Sequence, residues 1–214
     1  MNNIRELDNY RQILKTKLTE ITGNSEHIAK LINYIKLLLE KNQELNLISR
    51  QLTIEEIISS HIIDCLVGYK YFLEYESITD IGSGSGMPGI ILAILLPDKK
   101  FTLIEKSPKK SNFLNEIKLK IDLKNVNIIN DLVSEKMIKT HVVTCRAFKD
   151  INTILTLSRN FLKNKGIYIL YKAKADKIDE ELLIAKKQFK FEALIHKIDE
   201  IKEKERHIVI IKGL

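Results

Sequence analysis

Ser77-Ile78-Thr79-Asp80-Ile81-Gly82-Ser83-Gly84-Ser85-Gly86-Met87-Pro88-Gly89 decides how the rest of the chain is arranged. Ile78 to Ile81 is short, apolar and β-branched, and it ends abruptly in glycine, which is the pattern of a buried strand. Gly82, Gly84 and Gly86 let the backbone turn tightly and approach a ligand where a Cβ would clash. Pro88 suits the first turn of a helix, and Ile90 to Leu96 supply its apolar body. Strand, glycine loop and helix together form the part of an α/β fold where nucleotide-like ligands sit.

The loop matches two ligand patterns. Gly84 to Gly89 fits the G-x-G-x-x-G spacing of dinucleotide folds, but there the first glycine directly follows the strand, and here that residue is Gly82. Counted from the strand end, Asp80-Ile81-Gly82-Ser83-Gly84-Ser85-Gly86 resembles the first motif of S-adenosylmethionine-dependent methyltransferases. That cofactor carries an ammonium and a carboxylate on its methionine part and has no pyrophosphate. Asp80 can receive the ammonium, directly or through water, while loop N–H groups face the carboxylate.

Outward from the loop, β and α patterns alternate. Lys100 to Glu105 reads as a second strand, and Ser107 with Pro108 opens a helix whose apolar face includes Phe113, Leu114, Ile117 and Ile121. Strands are expected at Val126–Ile129, His141–Cys145 and Gly166–Tyr171, with helices at Asp150–Leu162 and Asp176–Gln188. Phe189–Ile198 and Arg206–Ile211 read as an antiparallel pair. The sum is an α/β fold with a mostly parallel sheet of about seven strands. Upstream, residues 4–22 and 25–44 read as amphipathic helices, the second with Ser25 as N-cap, and Thr53 with Glu56 forms a capping box for a third helix to Phe72. Residues 1–50 are expected to form a small helical cap on a domain of residues 51–214.

Bulk properties narrow the class. The 214 residues are 44% hydrophobic and 29% charged, ordinary for one sizeable globular unit. The first ten residues include Arg5, Glu6 and Asp8 and lack the apolar run of a secretory leader, and no stretch reaches membrane-span length. A cytoplasmic monomer without membrane contact is expected. Cys65 and Cys145 have no metal-ligand spacing and are expected as buried free thiols, and no metal site is expected. The net charge of +7 favours a polyanionic partner.

Several side chains fall where chemistry is done. Glu105 ends the second strand about 20 residues beyond the loop, where a carboxylate can accept both hydroxyls of a ribose. Val133 and Ser134 follow the third strand, beside an adenine edge. His61 and Asp64 are one helical turn apart and share a face, as a surface ion pair or as a pair looking into the cleft. Arg146 follows the fourth strand, at the ligand-binding end of an open sheet. Lys109, Lys110, Lys172 and Arg206 are candidate RNA contacts. None shows the aromatic interleaving of a base-stacking platform.

Taken together, Asn46-Leu47-Ile48-Ser49, His61-Ile62-Ile63-Asp64, the extended glycine loop, Cys145-Arg146-Ala147-Phe148 and Glu205-Arg206-His207 resemble one family. It is the bacterial small-subunit ribosomal RNA methyltransferases that modify guanine N7, historically called glucose-inhibited division protein B. The resemblance runs from about residue 42 to the end. It implies a Rossmann-like class I methyltransferase fold, S-adenosylmethionine as cofactor, and cofactor contacts at Gly82, Met87, Val133, Ser134 and Arg146. It further implies that the substrate is the guanosine at position 527 of 16S rRNA, within the small ribosomal subunit. The family's Ala-Glu type pair is Val133-Ser134 here, which points to backbone contacts, and its Lys-Gly is Lys172-Ala173. Two other readings are weighed. An RNA-binding assembly factor with a vestigial pocket is opposed by the presence of Asp80, the three glycines and Glu105, and a dinucleotide-dependent oxidoreductase is opposed by the glycine register.

Overall fold

The structure, a computed structural model, describes residues 2–133, 138–199 and 204–214, with side chains from Leu7 onward. Seven strands form one sheet: β1 (Ser77–Ile81), β2 (Lys100–Ile104), β3 (Val126–Ile129), β4 (Thr140–Arg146), β5 (Leu162–Lys172), β6 (Glu192–Lys197) and β7 (His207–Lys212). Their order is β3-β2-β1-β4-β5-β7-β6. The first five are parallel, and β7 runs antiparallel to both β5 and β6. This is the expected seven-stranded α/β sheet with its late hairpin. The chain steps outward from β1 to β3 and then returns to β4, so strand order reverses between β1 and β4. Ligands in open α/β sheets bind at such a reversal, beyond the carboxyl ends of the strands.

Both faces of the sheet's central strands are covered, which is why these read as continuous apolar runs, whereas the edge strand β6 is largely exposed. Along β5, Ile167, Ile169 and Tyr171 join one core while Tyr168 and Leu170 join the other, and β7 divides its residues the same way. The first core also takes in α1 (Asn2–Thr22), α2 (Ile28–Leu45), α5 (Gly89–Leu95) and α6 (Pro108–Lys120). The second lies under α7 (Ile151–Ser158) and α8 (Ala175–Lys186). Leu31, Ile35 and Leu38 of α2 are buried in the same cluster as Ile78 and Phe101 of the sheet, so the N-terminal helices share the sheet's core.

Several local expectations need correction. The third helix is not regular: α3 (Ile54–Ile57), with the expected Thr53–Glu56 capping box, passes into a π-helical turn at Ile58–Ile62, then α4 (Ile63–Val67) and a 3₁₀ segment at Gly68–Phe72. Ser25 does not cap α2; His27 occupies that position. Pro88 is the N-cap residue of α5 instead of its first helical residue. Leu162 opens β5 instead of closing α7, because the helix tightens into a 3₁₀ turn at Arg159–Phe161. Both cysteines are free and buried, and burial pushes their thiols well above the usual range. Among the described residues, no helix is long and apolar enough to cross a membrane.

Candidate active site

The glycine loop leaves β1 and is tied down on its inner side. The Gly82 and Ser83 N–H groups donate to the Ile104 carbonyl at 2.9 and 3.1 Å, and the Gly86 N–H donates to the Ser83 carbonyl at 2.7 Å. The Gly84 N–H donates to Glu105 Oε2 at 2.9 Å, while Glu105 Oε1 accepts the Ser107 N–H at 2.8 Å. Among the described residues, the amides of Ser85 and Met87 make no such bond, so these two are free to meet a carboxylate. At Gly82 (φ 69°), a Cβ would lie 2.2 Å from the Phe148 ring, so β4's outgoing loop occupies the space a side chain would fill. Gly84 (φ 55°) has only a carbonyl at 3.8 Å beside its missing Cβ, and there the requirement is conformational.

Asp80 lies beneath this loop, fully buried. Its Oδ2 accepts the Gly89 N–H at 3.1 Å, and its Oδ1 has no partner. Burial raises its pKa to about 7, against the lowering effect of the Gly89 N–H, of the Ser83 hydroxyl and of Arg146. A cation delivered to the loop would draw it back to the ionised form.

Opposite the loop, Arg146 gathers residues from three elements. Its Nη1 donates to Asp64 Oδ2 at 2.9 Å and to the Ser60 carbonyl at 3.3 Å, and its Nη2 bonds to His61 Nδ1 and approaches Met87 Sδ at 4.0 Å. Arg206 Nε reaches the same Asp64 oxygen at 3.5 Å. His61 and Asp64 therefore share a face, as their spacing predicted, and it looks into the cleft. Burial and the nearby cations Arg146, Lys204 and Arg206 lower His61 to about 4. Asp64 is raised by burial, although Arg146 and Arg206 pull it down. Ala147 follows with φ 51°, a left-handed conformation uncommon outside glycine, which sends Arg146 and Phe148 to their separate tasks.

A cavity of about 610 Å³ opens along the loop. Gly82, Gly84, Met87, Glu105, Val133 and Arg146 line it, together with His61 and Lys110. Gly86 does not: a Cβ there would meet Ile90 at 2.6 Å, so its place is in the packing against α5 and α6. Ser134 lies outside the described residues. Leu47 and Ile48, on the cavity wall, are held by Asn42 Oδ1, which accepts both their N–H groups at 2.7 and 2.9 Å. No sequence pattern marked Asn42, whose role depends on α2 ending in the left-handed Asn46. Lys109 is exposed near the mouth of α6. Lys172 is not the free surface charge that its position suggested, because its Nζ is 2.5 Å from Glu181 Oε2 and donates to the Lys149 carbonyl at 2.9 Å. Arg206 is likewise drawn inward by Asp64.

Comparison with known proteins bears on this geometry. A family model described as rRNA small subunit methyltransferase G matches residues 27–209. The chain is 42% identical over 212 residues to Ribosomal RNA small subunit methyltransferase G of Brachyspira hyodysenteriae, covering 99% of this chain and 100% of that one. It is 41% identical over 192 residues to Ribosomal RNA small subunit methyltransferase G 1 of Bdellovibrio bacteriovorus, covering 88% and 92%. Among solved structures, an O-methyltransferase of Bacillus cereus in complex with SAH superposes with a TM-score of 0.59 at 14% identity, covering 85% of this chain and 91% of that one. At that identity the likeness concerns the fold.

Proposed function

The chain belongs to the rRNA small subunit methyltransferase G family, and from that premise we propose that it methylates N7 of the guanine at position 527 of 16S rRNA, using S-adenosylmethionine. The observation that carries the reading is the cavity formed by the β1 loop, Glu105 and Arg146 at the reversal of strand order. When bound, S-adenosylmethionine supplies an electrophilic methyl group on a sulfonium centre. Around it, Glu105 keeps lone pairs free for a ribose diol beyond its two loop bonds. The Ser85 and Met87 amides would hold the carboxylate, buried Asp80 would answer the ammonium, and the backbone at Val133 would border the adenine.

Guanine N7 already carries a lone pair, so the step asks for alignment more than for a base. His61 fits that demand. Its Nδ1 is taken by Arg146, and with a pKa near 4 it is neutral at physiological pH, a positioning residue for Arg146. Residues 1–50 act as the cap, and the protein works as a cytoplasmic monomer on rRNA within the small subunit, with exposed lysines such as Lys109 meeting phosphate. Mass spectrometry of 16S rRNA from cells with and without the gene tests the reading. N7-methylguanosine at the target position should vanish on deletion and return on complementation; its persistence would overturn the assignment.

A further inference from the structure

Beside the cofactor cavity lies a second one, of about 700 Å³. The two meet at His61 and at the segment 146–149, so an occupant of the second touches the edge of the first. One wall of the second cavity is α8, and the residue on that wall with unusual chemistry is Glu181. It is 9% exposed, and both of its protein hydrogen bonds go to one oxygen. Oε2 accepts the Ile151 N–H at 2.9 Å and Lys172 Nζ at 2.5 Å. Among the described residues Oε1 accepts nothing, yet it is not sealed from solvent as Asp64 Oδ1 and Asp80 Oδ1 are. Glu181 is among the residues that line the cavity.

A carboxylate held in this way is an acceptor fixed in place, and its ligand must bring donors. Among the bases, guanine offers two side by side on its Watson–Crick edge, N1–H and the 2-amino group. Adenine offers a donor beside an acceptor, and that acceptor would face the carboxylate. A base held by its Watson–Crick edge also leaves N7 on an edge that Glu181 does not touch. Enzymes that modify a base in structured nucleic acid read it in this manner after taking it out of the stack. Lys174 and Lys177 stand exposed around the same cavity, where the phosphates of an extruded nucleotide would pass.

We propose that Glu181 is a specificity-determining residue that receives the Watson–Crick edge of the target guanine in this second cavity. The proposal rests on the reaction read above, and its test separates the two. Small subunits are reconstituted with guanosine or inosine at the target position, inosine lacking only the 2-amino group, and single-turnover N7 methylation is followed at subsaturating subunit concentration. The full-length wild-type protein should methylate inosine roughly ten- to a hundredfold more slowly, the loss of one hydrogen bond to a charged group. Glu181→Gln keeps an oxygen for the Ile151 N–H but sets an amide against the two donors, and the ratio should shrink to about threefold or less. Each ratio is taken within one protein, so partial loss of fold cancels, and the intrinsic reactivity of the two bases cancels between proteins. Glu181→Asp, which keeps the charge opposite Lys172 but withdraws it from the cavity, takes the place of the amide variant if that one does not fold, and the same collapse is expected. Equal rates on the two substrates in the wild type, or an unchanged ratio in the variants, overturn the proposal. Absence of N7-methylguanosine even on the guanosine subunit would instead overturn the reaction.

Discussion

Arg146 shows how much the meaning of one residue depends on partners the chain brings from elsewhere. Its place at the carboxyl end of β4 and the His61–Asp64 spacing were both readable in the sequence, but nothing in either stretch says that one guanidinium answers both, or that Arg206 joins them at Asp64. Electrostatics then decides what His61 can do. Folding lowers its pKa to about 4 from the ordinary 6.5, so the unfolded chain binds the proton first as pH falls. Its contribution to stability is complete above about pH 6.5 and is lost between there and pH 4. His61→Gln cannot titrate, so denaturant melts should show it to be less acid-sensitive than the parent across that window. With saturating cofactor, single-turnover methylation should be nearly flat from about pH 6.5 to 8.5 in both proteins, with the variant slower through misplacement of Arg146. An inflection near neutrality that disappears in the variant would make His61 an acid–base catalyst and would contradict the assignment. Glu181 sent no such signal: it sits mid-helix among other acids, and only the fold reveals that both its bonds go to one oxygen.

Among the elements, the central strands were the most legible, because burial on both faces imposes apolar runs, and at β1 glycine ends the run sharply. Irregular helices were the least, since a π turn is an adjustment to neighbours and leaves no composition of its own. The turn at Ile58–Ile62 carries His61 and hands the chain to α4, which carries Asp64. Helix α2 read only as an amphipathic cap with no chemistry. Yet its buried Tyr34 donates through its hydroxyl to the Ser85 carbonyl at 3.0 Å, gripping the loop from behind. Tyr34→Phe keeps the ring and removes that bond. It should cost about 1 kcal/mol of stability, the usual worth of one hydrogen bond. S-adenosylmethionine should bind a few-fold more weakly by calorimetry, and the salt dependence of RNA binding should not change. Unaltered cofactor affinity would mean that the loop keeps its shape without α2.

For the molecule as a whole, the excess of positive charge was evident from composition, but its distribution was not. Lys172 and Arg206 are turned to internal carboxylates, so their charge organises the protein, whereas Lys109 and Lys110 near the start of α6 stay available. Phosphate contacts release counterions, so RNA affinity should fall steeply with salt while cofactor affinity barely moves. Changing Lys109 or Lys110 to Ala should flatten the salt slope by a fraction to about one unit each. Lys172→Ala should leave the slope intact and lower the melting temperature, because it strands Glu181. Equal slopes for the parent and both α6 variants would move the RNA surface elsewhere. The contact between Gly82 and Phe148 has a genetic corollary. The ring that fills the missing side chain at residue 82 also borders both cavities, so a single added methyl there displaces a partition common to two ligands. A smaller side chain at 148 would make room for an alanine at 82 but would not relieve its strain at φ 69°, so a change at either position disturbs both chambers together.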